Sequence, residues 1–157
     1  SVYDLIDGKL DRNEAYSRAQ EEISGILETY PSIQSVIDLH RDGVAEGTRL
    51  VTELNGKTMA KFMFFNGLSR TRRNGAIDYL YNPYKEDNLA LTLQLKLLCE
   101  QYYPGLSRNI YLKSLRYNLH LSPKALLIEV GAQTNTVEEI MNTMEPLADL
   151  LDKVFGT

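Results

Sequence analysis

Leu126-Leu-Ile-Glu-Val-Gly-Ala-Gln-Thr-Asn-Thr136 is the stretch that decides the fold. An apolar run that meets one carboxylate and then breaks into glycine and polar residues predicts a buried strand with a charge near its end. Its counterpart is Ser35-Val-Ile-Asp-Leu-His-Arg-Asp42, where the apolar run meets an imidazole. A buried strand tolerates such a group only where something nearby compensates its desolvation. Two strands of this kind, delivering Glu129 and His40, predict a site built at one edge of a sheet.

Working outward, the sequence predicts a helix over 12–29, with capping-box spacing at Asp11 and Glu14 and a stripe of Ala15, Ala19, Ile23, Ile26 and Leu27. Tyr30-Pro31 stops it. A buried strand is expected over Ile33–Leu39. A hairpin follows, with arms Thr48–Leu54 and Lys57–Phe65 around Asn55-Gly56, a pair suited to a turn that needs positive φ twice. Ser69–Tyr84 reads mostly as loop. Glu86–Tyr103 reads as a helix with Leu89, Leu93, Leu97 and Tyr102 among its apolar positions, closed by Pro104-Gly105. A short strand at Ile110–Leu112, a buried one at Ala125–Val130 and a last helix at Thr136–Phe155, started by a Thr136/Glu139 capping box, complete the order. That order predicts one α/β domain over residues 1–157: a mostly parallel or mixed central sheet, helices packed on both faces, and one β-hairpin.

The 157 residues suffice for a real core, and 43% hydrophobic with 24% charged residues is ordinary for a globular protein. A net charge of -4 speaks against nucleic acid. No apolar run approaches a membrane span, and no signal peptide pattern opens the sequence. No initiator Met is present, and Ser1 to Leu10 read as the interior of a longer protein. A single cysteine, Cys99, excludes an intrachain disulfide and a cysteine-based zinc cage, and reads as core packing.

On a strand, residues two apart share a face, so Asp38, His40 and Asp42 are expected to point together. Two readings stand for His40: a metal-binding imidazole oriented by a carboxylate, and a hydrogen-bonded histidine at a strand end. For Glu129 the readings are a poorly solvated general acid or base of raised pKa, and an Arg–Glu pair with Arg41, Arg108 or Arg116. Gly131 is expected to let a substrate or a backbone come close. His120 reads as an exposed loop residue. Arg70, Arg72 and Arg73 read as a solvated cluster, or as a holder of a carboxylate-bearing substrate. Tyr79, Tyr81, Tyr84, Tyr102 and Tyr103 read as half-buried residues, or as the lining of a sugar groove. Thr134-Asn135-Thr136 reads first as a helix cap.

Val36-Ile-Asp-Leu-His-Arg-Asp-Gly43, Phe64-Phe-Asn-Gly-Leu68, Leu127-Ile-Glu-Val-Gly-Ala-Gln-Thr-Asn-Thr-Val-Glu-Glu139 and Glu145-Pro-Leu-Ala148 resemble the stage II sporulation protein P family, a branch of the zinc-dependent N-acetylmuramoyl-L-alanine amidases. The resemblance covers essentially the whole chain. It implies peptidoglycan hydrolysis at the amide between muramic acid and the first alanine of the stem peptide, with cleavage of peptide cross-links also credited to this branch. It implies a membrane-anchored enzyme on the cell-wall side, acting during engulfment, with stage II sporulation proteins D and M as partners. By the same resemblance His40 matches the last of three zinc ligands and Glu129 the catalytic glutamate. The family's other two ligands, a His and a Glu, lie in an upstream His-Thr-His…Glu segment, so they are expected before Ser1; His40 and His120 are the two histidines here. If the upstream piece also supplies a strand, an uncovered sheet edge is expected, and with it self-association or a sheet shorter than the family's. The rival class is a catalytically incompetent peptidoglycan-binding or partner-docking module; a third is a regulatory α/β domain.

Overall fold

The apolar run at 125–132 becomes the strand around which the rest is arranged. The computed structural model describes residues 5–11 and 14–156. Its elements run β1 (Leu5–Ile6), β2 (Lys9–Leu10), α1 (Ala15–Thr29), β3 (Val36–Asp42), β4 (Val51–Leu54), β5 (Lys57–Ala60), β6 (Phe62–Gly67), β7 (Arg70–Thr71), β8 (Gly75–Ala76), α2 (Lys85–Tyr102), β9 (Tyr111–Lys113), β10 (Ala125–Ala132) and α3 (Val137–Phe155). Short 3-10 turns form at Asp78–Leu80 and Leu119–Leu121.

The main sheet has the order β3-β10-β6-β9. β10 runs parallel to β3 and antiparallel to β6, and β6 runs parallel to β9, so the sheet is mixed. Side-chain alternation along these registers assigns the two faces. On one face Leu126, Ile128 and Val130 lie beside Phe62 and Phe64, and pack on Leu91, Leu95 and Cys99 of α2 and Leu147 and Leu150 of α3. Each large apolar side chain sealed there contributes about 1.5–3 kcal/mol. On the other face Ala125 and Leu127 join Met63, Phe65 and Leu119, with Tyr16 of α1, Val36 and Tyr117 against them. Helices therefore cover both faces, the α/β architecture that the element order predicts.

Several boundaries differ. The strand expected at Ile33–Leu39 runs over Val36–Asp42, and it is not buried on both faces. It is an edge strand: Ile37 and Leu39 are 42% and 53% exposed. Its outer side pairs with no strand among the described residues. The hairpin forms as predicted at Asn55 and Gly56, with φ of 52° and 73°, but its second arm is not continuous. At Lys61 the chain leaves β5 and enters the main sheet as β6; the Lys61 N–H donates to Leu50 O and its carbonyl accepts from Gly131 N. Two further short antiparallel pairs, β1-β2 and β7-β8, join the single hairpin expected.

The helix expected at Glu86–Tyr103 forms as α2, but the apolar positions named there do not make its buried face. Leu93, Leu97 and Tyr102 are exposed, and the buried face is Asn88, Leu91, Thr92, Leu95 and Cys99. Polar residues can face inward there because they are satisfied. Asn88 donates to Leu119 O and Ser122 O and accepts from Ala125 N, and Thr92 accepts from Asn66. Cys99 is core, as read. At α1 the capping box does not form: Glu14 is the N-cap, without a side-chain hydrogen bond, and residues 12–13 of the expected helix lie outside the described residues. At α3 the Thr136/Glu139 capping box is present. No helix of the described residues is long and apolar enough to cross a membrane.

Candidate functional site

Seven of the eight β10 residues are buried, and Glu129 is the one that is not. Its Cα partner on β3 is His40. In parallel register with the same alternation, Glu129, Asp38, His40 and Asp42 come onto one face of the sheet.

The ladder shifts immediately beyond this pair. Glu129 pairs with His40, and the next partners are Ala132 and Asp42, so β10 carries an extra residue there. This β-bulge is centred on Gly131, whose φ is +59°. A Cβ on Gly131 would lie 2.8 Å from Asn135 Oδ1 and 3.0 Å from Ala60 Cβ. The Asn135 side chain thus approaches this glycine closely, and the Lys61 backbone accepts from its N–H. Asn135 Oδ1 accepts from Ala132 N, and its Nδ2 donates to Leu50 O and to Glu139 Oε2. Thr134 Oγ1 donates to Thr48 O, and Val44 N donates to Gln133 Oε1. The 131–136 segment therefore works as a cap and as an anchor for the loop before β4.

None of the three arginines considered for Glu129 bonds to it. Arg41 donates to Ala132 O and Asn135 O, Arg116 to Tyr81 O and Gln20 Oε1, and Arg108 to Asp42 Oδ2 at 2.6 Å. Glu129 Oε2 is buried and has no hydrogen-bond partner. Burial pushes the Glu129 carboxyl above its ordinary range; Asp42 and Asp38 add to that, while His40 and Arg108 oppose it.

His40 Nε2 lies 2.6 Å from Asp38 Oδ1. That hydrogen bond raises the imidazole above its usual value, against the opposing effect of burial. Tyr16 stacks on the His40 ring with centroids 6.3 Å apart and an interplanar angle of 17°. Its phenol is pushed well above the usual range, mainly by burial and then by the Asp38 charge.

The remaining readings separate as follows. His120 is half-buried in a 3-10 turn, rather than exposed on a loop. Its Nδ1 meets Tyr117 O at 3.2 Å, and burial followed by Arg116 lowers its pKa. Its Nε2 is buried without a hydrogen-bond partner. Tyr103 is held by Asp149, and Tyr79 and Tyr81 are exposed. Tyr16 was invisible to sequence reasoning, because helix packing brings it in; Arg108 was named, but the pairing of Arg108 N with Phe62 O places it on Asp42 and not on Glu129. The Asp-Leu-His-Arg-Asp alternation carried a signal for Asp42.

The sequence model of the family described as Stage II sporulation protein P (SpoIIP) matches residues 2–152. Among curated proteins, Stage II sporulation protein P of Bacillus subtilis (strain 168) is 27% identical over 146 residues. The match covers 90% of this chain and 33% of that protein, so the chain spans about a third of that relative's length. No solved structure matches.

Proposed function

The chain belongs to the stage II sporulation protein P family, and from that premise we propose that it carries the general acid–base carboxyl of a sporulation peptidoglycan hydrolase. The bond cut is the N-acetylmuramoyl-L-alanine amide, with peptide cross-links as a second target. One observation carries this reading: Glu129 interrupts a buried strand with Oε2 unpartnered, beside His40. A cell-wall location and stage II sporulation proteins D and M as partners belong to the same proposal.

Zinc is part of the proposal, with His40 as one ligand. The described residues do not complete such a site by themselves. No three His, Cys, Asp or Glu side chains among them could hold a metal, and His40 Nε2 already meets Asp38. A resident zinc needs further ligands from elsewhere in the protein. When bound it would supply polarisation of the amide carbonyl.

The steps of this chain's own residues follow from the carboxyl's setting. Glu129 Oε2 accepts a proton from the water that attacks the amide carbon. As the C–N bond breaks, the same carboxyl returns that proton to the leaving nitrogen, giving a muramyl carboxylic acid and a free alanine amine. A carboxyl whose pKa is raised by burial performs both transfers more readily near neutral pH than an ordinary one.

The test uses the intact protein on purified peptidoglycan with zinc, reading the release of N-terminal alanine. Glu129→Gln is expected to lower the rate by about 100-fold or more, with zinc content and Tm unchanged. Full rate in this variant contradicts the assignment. Binding of the parent protein to peptidoglycan without cleavage supports the docking-module alternative instead.

A further inference from the structure

Two segments far apart in sequence meet beyond the C-terminal end of β6. Leu68 N donates to Lys113 O, and Arg70 N donates to Ser114 O. Gly67 leaves no room for a Cβ because the Leu115 carbonyl and the Arg116 backbone cross over it. Arg116 Nη1 donates to Tyr81 O at 2.9 Å, which ties the 77–84 segment to the same place.

These two segments, 68–84 and 111–117, carry five cations and one carboxylate, Asp78, in a chain whose net charge is -4. Arg70, Arg72 and Arg73 sit on the β7-β8 hairpin, all exposed, and none joins an ion pair among the described residues. Beside them Tyr79 and Tyr81 are 82% and 73% exposed. A fold has no packing reason to present two tyrosines almost fully to water next to three unpaired arginines. Guanidinium forks match carboxylates, and the flat faces of tyrosine pack on sugar rings.

The patch also connects to the candidate site. A run of aromatic contacts crosses the same sheet face: Tyr111 to Phe65 at 5.4 Å, Phe65 to Tyr117 at 4.8 Å, Tyr117 to Tyr16 at 5.1 Å, and Tyr16 to His40. We propose that the arginine hairpin and its two exposed tyrosines form an accessory subsite for a glycan with carboxylate-bearing stem peptides, which holds a peptidoglycan strand at a distance from Glu129. The choice of ligand rests on the functional reading above; the basic, aromatic surface does not.

The test is co-sedimentation with sacculi stripped of teichoic acid, under chelator so that binding is read without cleavage. The parent protein is expected to bind, and more weakly at high salt. Replacing Arg70, Arg72 and Arg73 with Ala together is expected to weaken binding by about tenfold, the sum of three exposed charge pairs. Tyr79→Ser with Tyr81→Ser is expected to weaken it at high salt as well. Sacculi with amidated carboxylates should hold the parent as poorly as untreated sacculi hold the triple variant. Unaltered circular dichroism and Tm establish that the variants fold, and hydrolysis of a short soluble muropeptide should be unchanged by them if the hydrolase reading is right. Equal sedimentation of parent and triple variant, indifference to amidation, or binding that requires teichoic phosphate would each overturn the proposal. Loss of binding without any hydrolysis by the parent would instead leave the subsite standing and remove the hydrolase.

Discussion

Glu129 within β10 and Glu139 in the first turn of α3 are the same side chain in opposite settings. Glu139 is surrounded by donors: its Oε2 accepts from Asn135 Nδ2 and Thr136 N, and its Oε1 meets Arg49. Burial opposes ionisation there, yet the backbone and Asn135 hydrogen bonds outweigh it and hold the carboxyl below its ordinary range. Glu129 has burial without donors, and it moves upward. A carboxylate committed to structure is one whose lone pairs are used. A carboxylate available for chemistry is one whose lone pairs are kept free, and the Gly131 bulge separates the two.

That contrast predicts where substitution hurts. Gly131→Ala should be the most destabilising of these changes, by about 2–3 kcal/mol in denaturant unfolding: the left-handed backbone disfavours a side chain, and the new Cβ would press on Asn135. A cost below about 0.5 kcal/mol would mean that Asn135 yields freely and that the bulge does not separate the two carboxyls. Glu139→Ala should cost about 2 kcal/mol, through the lost cap and the stranded Asn135 amide. Glu129→Gln should cost less than about 0.5 kcal/mol near neutral pH, because it removes a desolvated charge and no hydrogen bond. Equal costs at 129 and 139 would break the comparison.

The pH dependence of stability should differ in sign between the two sites, a smaller effect. Glu139 is held below the usual glutamate value of 4.5, so its stabilisation is full above that pH and drains away as pH falls through its folded-state pKa. Glu129 lies above 4.5, so the native state holds its proton longer than the unfolded chain. Stability is therefore lost as pH rises from about 4.5 through the folded pKa of Glu129. Urea unfolding across this range should find that Glu139→Gln removes the first slope and Glu129→Gln the second.

Much of this was legible in the sequence where the physics is local. The capping box at Thr136 and Glu139 needs two residues three apart, and Asn55-Gly56 announces its turn by its own φ preferences. Glu129 stood out because a carboxylate interrupts an apolar run. What is decided by distant partners was not legible. The exposed face of β3 follows from its position at the sheet edge, and the buried face of α2 from hydrogen bonds that let Asn88 and Thr92 turn inward. Tyr16 of α1 on His40, and the choice of Asp42 rather than Glu129 as the partner of Arg108, are set by tertiary pairing alone.

The most direct measurement is a carbon-13 titration of the glutamate side-chain carboxyls, with Glu129 and Glu139 assigned through their Gln variants. The account predicts that Glu129 loses its proton at a pH above 4.5 and Glu139 at a pH below it. Two midpoints that coincide, or that fall in the reverse order, would contradict the claim that this strand keeps a carboxyl poised for proton transfer.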